Sequence, residues 1–256
     1  MPEREAKLVI TAERPEAIAD AIAALTSLAG QPLAPAGTVV QRDIYFDTPA
    51  GALRARRQSL RLRVTDRGTK LTLKGEARDV DSGVTERDEL EREWSAAAFE
   101  EARAALARQG IALAAAPATG EPSSVLAAAG LAHVQERETR RRLRHAGAGA
   151  PIAELAIDEV TYRLTSGPVR HHEVEIEAKA DGGADYLPRA VKDLRVQFGG
   201  ALVSSRHSKL AIGAAIERLL AAPGGVGLMA GDRLTPAGYA RVDALLSASP
   251  APTAAG

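Results

Sequence analysis

Charged and aliphatic residues alternate in the first strand that the sequence predicts, at residues 3–10. The two-residue period of a strand places Glu3, Glu5 and Lys7 on one face and the aliphatic residues on the other. Two carboxylates one pleat apart can share a hard cation, and a lysine beyond them can hold an anion bound to that cation. Taken alone, the segment equally fits a solvated edge strand protected by its charges.

The same alternation recurs further along the chain. It predicts strands at about residues 38–47, 60–64, 70–74, 86–94, 133–145, 152–164 and 172–177. In residues 60–64 arginines share one face, and in residues 172–177 three glutamates do so. The segment 66–68 predicts a tight hairpin. Asp88 and Arg92 interrupt the apolar face of their strand, which makes that strand pattern weaker.

Helical spacing of apolar residues predicts a second set of elements. We expect helices at residues 15–30, 96–110, 123–130, 186–198, 207–220 and 235–246. Pro15 suits a first helical turn, Gly30 a helix end, and the serines at the start of 123–130 suit an N-cap. Residues 31–37 and 112–122 predict connections, and the small-residue end of the chain predicts a mobile tail.

An antiparallel sheet with one apolar and one charged face can bury its apolar side in two ways. Either the sheet is open with its charged face in water, or it closes into a barrel with charges inside and aliphatic residues outside, beneath helices. Acids concentrate on strands 3–10, 152–164 and 172–177, whereas bases concentrate on 60–64, 70–74 and 133–145. Because exposed faces usually mix the signs, this separation favours the barrel.

A closed barrel imposes a condition on the charges inside it. Buried ions must pair, stay hydrated or contact a ligand that carries both signs, because an unpaired buried ion is strongly destabilising. A polyphosphate chelated to a divalent metal is such a ligand. The sequence therefore predicts an α+β protein built on an eight-stranded antiparallel β-barrel, or tunnel, with a charged interior and helices packed outside.

Composition limits the classes of partner. The 256 residues carry 33 basic and 33 acidic side chains and 45% hydrophobic residues. This balance gives no overall field to attract nucleic acid or an anionic membrane, so we expect neither partner. The absence of cysteine excludes disulfides and thiolate zinc sites. No apolar run approaches membrane-spanning length, and the charged start lacks a signal-peptide core, so we expect a cytoplasmic protein.

Seven short motifs carry a resemblance to a known family. They are Glu-x-Glu-x-Lys at residues 3–7, Tyr45-Phe46-Asp47-Thr48-Pro49, Leu60-Arg61-Leu62-Arg63, Leu71-Thr72-Leu73-Lys74, Glu154 to Asp158, Glu173-x-Glu175-x-Glu177 and Ser208-Lys209. In this order they resemble the CYTH domain of the triphosphate tunnel metalloenzymes, which include inorganic triphosphatases, thiamine triphosphatases and class IV adenylyl cyclases. The resemblance covers about residues 1–220 and leaves 221–256 as a glycine- and alanine-rich linker, a short helix and the tail.

The resemblance implies a tunnel that binds a triphosphate with Mg²⁺ or Mn²⁺, and it implies a role for each matching residue. The metal-binding residues would be Glu3, Glu5, Asp158, Glu173, Glu175 and Glu177. The substrate-binding residues would be Lys7, Arg61, Arg63, Lys74, Arg87, Arg137, Arg141 and Lys209. Glu5, Glu175 and Lys7 would be catalytic. Glu138 and Thr139 interrupt the basic run of strand 133–145, so the sequence leaves open which of Arg137, Arg140 and Arg141 faces inward.

The expected reaction is metal-dependent hydrolysis of the terminal phosphoanhydride of inorganic triphosphate. Recognition of a nucleobase or a thiazolium ring normally uses an aromatic platform, yet aromatic residues make up only 3% of the chain. Trp94 falls on the aliphatic face, which leaves Tyr45 or Tyr162 for stacking. The alternatives are an adenylyl cyclase, a thiamine triphosphatase, a non-catalytic polyphosphate- or nucleotide-binding module, and an open sheet that docks a partner.

The pair His171-His172 precedes the glutamates of the last strand. Neighbouring strand residues point to opposite faces, so the two imidazoles cannot serve one metal. We therefore expect these histidines to have structural roles.

Overall fold

The computed structural model describes residues 3–81, 84–116, 119–180, 182–222 and 227–248. Its strands are β1 (Glu3–Ile10), β2 (Ser27–Leu28), β3 (Gln31–Asp47), β4 (Ser59–Thr65), β5 (Gly68–Lys74), β6 (Arg78–Asp81), β7 (Val84–Arg87), β8 (Glu89–Glu93), β9 (Ala132–Ala146), β10 (Ala153–Leu164), β11 (Gly167–Ala178), β12 (Leu202–Ser204), β13 (Met229–Ala230) and β14 (Arg233–Leu234).

Seven α-helices accompany these strands in the described ranges. They are α1 (Pro15–Ala23), α2 (Ala52–Ala55), α3 (Ala96–Arg108), α4 (Pro122–Ala128), α5 (Gly183–Phe198), α6 (Lys209–Ala221) and α7 (Pro236–Ser247). None of these helices has the length and apolar character needed to cross a membrane.

The strands form one antiparallel path in the order β6-β7-β1-β11-β10-β9-β3-β4-β5-β8. β7 and β8 are consecutive pieces of chain separated by Asp88, yet β7 pairs with β1 and β8 pairs with β5. Residues 84–93 therefore connect β7, next to one end of the path, with β8 at the other end, and the sheet curls into a tunnel. If β7 and β8 count as one interrupted strand, the path has nine strands, one more than the eight that the sequence predicts, because the short β6 adds to one edge. No ladder among the described residues joins the two ends of the path.

The aliphatic faces of the strands point outward beneath the helices, as predicted. Leu8 and Ile10 of β1 and Val174 of β11 are fully buried in a core that α1 and α5 complete. A second core lies between α3, α4 and strands β3, β4 and β5, and a third places α6 and α7 against β10 and β11. The first two cores lie outside the tunnel. The third contains Val9, Val160 and Val169, which share their strand faces with the charged residues, so α6 and α7 pack against the lumen side of these strands.

The predicted helix 15–30 is too long, and the predicted connection 31–37 is wrong. α1 ends at Ala23, and positive φ angles of 48° at Ala29 and 78° at Gly30 turn the chain into a hairpin between β2 and β3. Prolines are tolerated in the first half of β3 because it pairs with β9 on one side and with β2 only at its start. The register to β9 also shifts between Pro35 and Gly37.

The predicted strand 86–94 is divided, because Asp88 is where the chain changes its pairing partner. The predicted serine cap of helix 123–130 is also wrong. The Glu121 carboxylate instead accepts the Ser124 N–H at 2.9 Å, and the helix begins at Pro122. The predicted linker, which begins at residue 221, lies partly outside the described residues, and so does most of the predicted tail after residue 246.

Candidate active site

The tunnel encloses a cavity of about 340 Å³ whose lining is dominated by charged side chains. The predicted site residues that line it are Glu3, Glu5, Lys7, Arg61, Arg63, Lys74, Arg87, Arg137, Arg141, Glu175, Glu177 and Lys209. Asp158 and Glu173 lie behind this lining, where both are fully buried and contact Lys209. The structure therefore brings all the predicted site residues to one lumen or directly behind it.

The strand register explains why these side chains converge. Lys7 lies opposite Glu175 and Glu5 opposite Glu177 in the β1–β11 ladder. On the other side of β1, Glu3 lies opposite Arg87. Because paired residues of antiparallel strands point to the same face, each charged residue of β1 meets a charged residue from a neighbouring strand.

Asp158, Glu173 and Glu175 form a compact carboxylate cluster. One oxygen from each lies within 4.8 Å of the others. Arg141 Nη2 contacts Asp158 and Glu175 at 2.6 Å each, and Lys209 Nζ contacts Asp158 at 2.9 Å. Carboxylate oxygens at this spacing are the ligands that a hard divalent cation prefers.

The surrounding cations favour the ionised forms of Glu173 and Glu175. Burial acts to raise the pKa of Glu173, but Lys209 and Lys7 lower it to about 2. The pKa of Glu175 is also well below its ordinary value, because Lys209, Lys7 and Arg141 outweigh burial. Burial likewise opposes the charge of Lys7, yet Glu173 and Glu175 raise the Lys7 pKa above its usual range.

Helix α6 delivers Lys209 to this cluster. The Ser208 hydroxyl caps the helix by accepting the Ala211 N–H at 3.2 Å, so Lys209 is the first helical residue. Lys209 Nζ then contacts Glu175 at 2.8 Å. The Lys7 ammonium lies beside it, 2.9 Å from Glu175, and donates to the His207 carbonyl at 3.3 Å.

A basic cluster occupies the part of the lumen formed by β3, β4 and β9. Arg63 Nε contacts Asp43 at 2.8 Å, Arg137 Nη2 at 3.0 Å and Arg61 Nη1 at 3.5 Å. Asp43 is fully buried, and although burial acts to raise its pKa, the three arginines hold that pKa well below its ordinary value. One carboxylate therefore neutralises only part of the charge of this cluster.

A third group of charges lies where β1, β5, β7 and β8 meet. Lys74 Nζ contacts Glu3 at 2.9 Å and Glu89 at 3.0 Å, while Arg87 contacts both Glu3 and Glu5. Burial opposes ionisation of Glu3, but Lys74 and its other partners lower the Glu3 pKa to about 2. Burial and the proximity of Glu3 instead raise the pKa of Glu89.

The structure resolves the orientation of the strand at 133–145. Arg137 and Arg141 face the lumen. Arg140 lies on the outer face, where it lines a groove beside α1 with Glu159 and His172. His171 and His172 point to opposite faces as predicted, and His171 contacts Glu173.

Some residues that take part in the site are not among the site residues that the sequence predicts. Asp43, Glu89 and Glu91 belong to the charged clusters, and the alternation pattern already placed them on the charged faces of their strands. The buried contact of His171 with Tyr239 carries no local sequence signal, because 68 residues separate the two.

The aromatic residues give the lumen little free ring surface. Tyr45 lines the cavity, but the Arg137 guanidinium carbon lies 4.7 Å from the centre of its ring. Tyr162 is fully buried and donates its hydroxyl proton to the Lys209 carbonyl at 2.9 Å. Trp94 packs outside the tunnel, with its ring 6.2 Å from that of Phe99.

The fold and the site together define an α+β protein with an ion-lined antiparallel tunnel. The family model of the CYTH domain matches residues 1–198. The chain therefore belongs to the CYTH domain family, which confirms the resemblance seen in its motifs.

The chain is also similar to solved structures, and the first of the two that follow supports the same fold. A protein from Hippeastrum, named for adenylyl cyclase and for a dominant triphosphatase activity, is 20% identical, with a TM-score of 0.54 over 83% of this chain and 95% of that chain. A protein from Pyrococcus horikoshii is also 20% identical, with a TM-score of 0.48 over 85% of this chain and 98% of that chain. The comparison with curated proteins gives no match.

Proposed function

We propose that this protein hydrolyses the terminal phosphoanhydride of inorganic triphosphate inside the tunnel, with Mg²⁺ or Mn²⁺ as cofactor. The observation that carries the proposal is the distribution of charge around the enclosed cavity of about 340 Å³. The arginines around Asp43 come from β4 and β9, whereas the carboxylate cluster comes from β10 and β11. A metal-bound triphosphate presents both signs of charge and complements both clusters.

The basic residues suit the binding of phosphate oxygens. Phosphoryl transfer requires the protein mainly to position its groups and to neutralise oxygen charge. Guanidinium groups match phosphate oxygens with two hydrogen bonds, whereas lysines act as point charges. In this proposal the substrate-binding residues are the guanidinium groups of Arg61, Arg63, Arg87, Arg137 and Arg141 and the ammonium groups of Lys7, Lys74 and Lys209.

The acidic residues fit a hard divalent cation. The oxygens of Asp158, Glu173 and Glu175 lie within 4.8 Å of one another, and carboxylates are ligands that Mg²⁺ and Mn²⁺ prefer. Glu3, Glu5 and Glu177 are the further proposed metal-binding residues. When bound, the cation would polarise phosphate oxygens.

Glu5 and Glu175 are the proposed residues that orient the attacking water. The Glu175 pKa lies well below its ordinary value despite burial, so this carboxylate stays ionised and accepts a hydrogen bond from water. Lys7 contacts Glu175 at 2.9 Å and holds it in place while offering its ammonium group to the substrate.

Inorganic triphosphate is favoured over thiamine triphosphate and ATP. Among the described residues that line the cavity, Tyr45 supplies the aromatic ring, and Arg137 covers it. A base or thiazolium ring would have to displace this arginine in order to stack.

Phosphate release from tripolyphosphate, ATP and thiamine triphosphate, each with Mg²⁺ and with Mn²⁺, tests the proposal. We expect the highest kcat/KM with tripolyphosphate and no release in excess EDTA. Formation of cyclic AMP and pyrophosphate from ATP would instead establish a cyclase. Metal-dependent binding of tripolyphosphate without turnover would establish a binding module.

A further inference from the structure

A row of buried polar side chains connects the carboxylate cluster with the C-terminal helix. His171 Nε2 lies 2.9 Å from Glu173 Oε2, and His171 Nδ1 lies 3.2 Å from the Tyr239 hydroxyl. His171 and Glu173 are fully buried, and Tyr239 is 9% exposed. Tyr239 belongs to α7, beyond the residues 1–198 that match the family.

The chemistry of Glu173 fixes the direction of its hydrogen bond with His171. An ionised carboxylate only accepts hydrogen bonds, so His171 Nε2 carries the proton that is donated to Glu173. When the imidazole carries a single proton, its Nδ1 atom is the acceptor, and the Tyr239 hydroxyl donates to it. Burial raises the pKa of Tyr239 above its ordinary value, which keeps the hydroxyl protonated.

This arrangement divides the two oxygens of Glu173 between two tasks. Oε2 accepts from His171, whereas Oε1 lies 3.5 Å from Lys7 Nζ and contacts Lys209. A carboxylate without the His171 contact could rotate about its last side-chain torsion, which is a soft torsion. The imidazole therefore directs Oε1 toward the ammonium groups that line the cavity.

The C-terminal segment is fastened next to His171. Arg170 pairs with Arg233 in the β11–β14 ladder, and its guanidinium contacts Asp232 at 2.6 Å. Around Tyr239, α7 packs so closely that a side chain at Gly238 would meet the Leu228 carbonyl at 2.3 Å. The Tyr239 hydroxyl is thus held at a defined place relative to the His171 ring.

We propose that His171 and Tyr239 are positioning residues for Glu173, and that α7 thereby completes the metal-binding carboxylate cluster of this chain. The inference rests on the proposed function in that it takes Glu173 as a residue that binds the metal. Residues that orient the ligands of a metal typically change metal affinity or activity by about 10- to 100-fold when they are replaced.

Two amide substitutions at His171 separate its two contacts. Glutamine reaches the position of Nε2 and keeps a donor for Glu173, whereas asparagine reaches only the position of Nδ1 and loses that donor. We expect His171→Asn to weaken Mn²⁺ binding by at least about tenfold, and His171→Gln to retain most of the affinity. We expect Tyr239→Phe to weaken it in the same direction by a smaller factor.

Mn²⁺ titration followed by electron paramagnetic resonance measures this affinity independently of turnover. Tyr186→Phe is the matched control, because it removes a buried hydroxyl that donates to the Leu28 carbonyl at 3.3 Å in a different core. Equal Mn²⁺ affinity in His171→Asn and His171→Gln, or equal affinity in Tyr239→Phe and Tyr186→Phe, would overturn the inference. An absence of Mn²⁺ binding in the wild-type protein would also overturn it.

Histidine ¹⁵N NMR of the metal-free wild-type protein adds a test that does not depend on whether a variant folds. The His171 Nε2 atom should carry a proton, and an unprotonated Nε2 would contradict the inference. Phosphate release from tripolyphosphate distinguishes the two proposals. Hydrolysis with unchanged Mn²⁺ affinity in the variants would refute the positioning role alone, whereas the expected affinity pattern without hydrolysis would refute only the proposed function.

Discussion

Replacing Asp43 with asparagine removes the carboxylate that three lumen-facing arginines share. Asp43 is fully buried, and Arg61, Arg63 and Arg137 contact it at 2.8 to 3.5 Å. Arginines keep their charge at neutral pH, so the variant leaves positive charge buried without its partner. Breaking a buried ion pair in this way costs about 3–5 kcal/mol. For a chain of this length that corresponds to a fall in Tm of roughly 6–20 °C.

Thermal unfolding of the purified protein measures the effect, with Asp20→Asn as the control. Asp20 contacts Arg142 at 2.7 Å, but its side chain is 71% exposed, so its loss should cost no more than about 1 kcal/mol. Tripolyphosphate should raise the Tm of Asp43→Asn by more than it raises that of the wild-type protein, because the anion replaces the missing negative charge. The reasoning fails if Asp43→Asn unfolds like Asp20→Asn, or if tripolyphosphate stabilises both proteins equally.

Three further predictions follow from the site. Glu5→Ala and Glu175→Ala should each abolish phosphate release while the far-UV circular dichroism spectrum stays native; full release by either variant would remove that residue from the mechanism. Burial opposes ionisation of Glu3, but Lys74 lowers its pKa from 4.5 to about 2, so its stabilising contribution is complete above pH 4.5 and is lost as the pH falls toward 2. The free energy of urea unfolding should therefore fall less steeply below pH 4.5 in Glu3→Gln than in the wild-type protein, and parallel curves would contradict this. Ser208→Ala should lower stability by about 1 kcal/mol through the lost helix cap and raise the KM for triphosphate, because Lys209 begins the same helix; an unchanged KM would separate the cap from the site.

The strands that form the lumen could be predicted from the sequence because their two faces differ so sharply. In β1 Glu5 and Lys7 alternate with Ala6, Leu8 and Ile10, and a one-residue shift would bury both of these charges in the outer core. The same contrast identifies β4, β5 and β11. This contrast also predicts which face of each of these strands lines the tunnel. The structure places their aliphatic residues outside and their charged residues within.

The sequence-based predictions are wrong where local composition does not reveal the tertiary contacts of a segment. The prolines of residues 31–37 indicate a connection, yet they fit a strand that has a ladder mainly on one side. The helical spacing of apolar residues continues up to Gly30. The turn at Ala29, however, pairs the segment before it with β3, so that segment forms β2. The division at Asp88 depends on two different partner strands, and neither can be read from residues 84–93 alone.

The same limit applies to the site, where the sequence assigns a residue to a strand face but does not identify its partner. Asp43 shares the charged face of its strand with Tyr45, so the pattern marks it as an inward residue without assigning it a partner. The contact between His171 and Tyr239 requires α7 to pack against β11 through β14, and no periodicity within the chain indicates that arrangement.

A crystal structure of Glu175→Gln with tripolyphosphate and Mg²⁺ tests the central claim most directly, because the claim concerns where the anion binds. The account predicts one triphosphate inside the lumen, with phosphate oxygens within hydrogen-bond distance of Arg61, Arg63 and Lys74, and with the cation beside the carboxylate cluster. A triphosphate bound only on the outer surface, or an empty lumen at a saturating concentration of the anion, would contradict it.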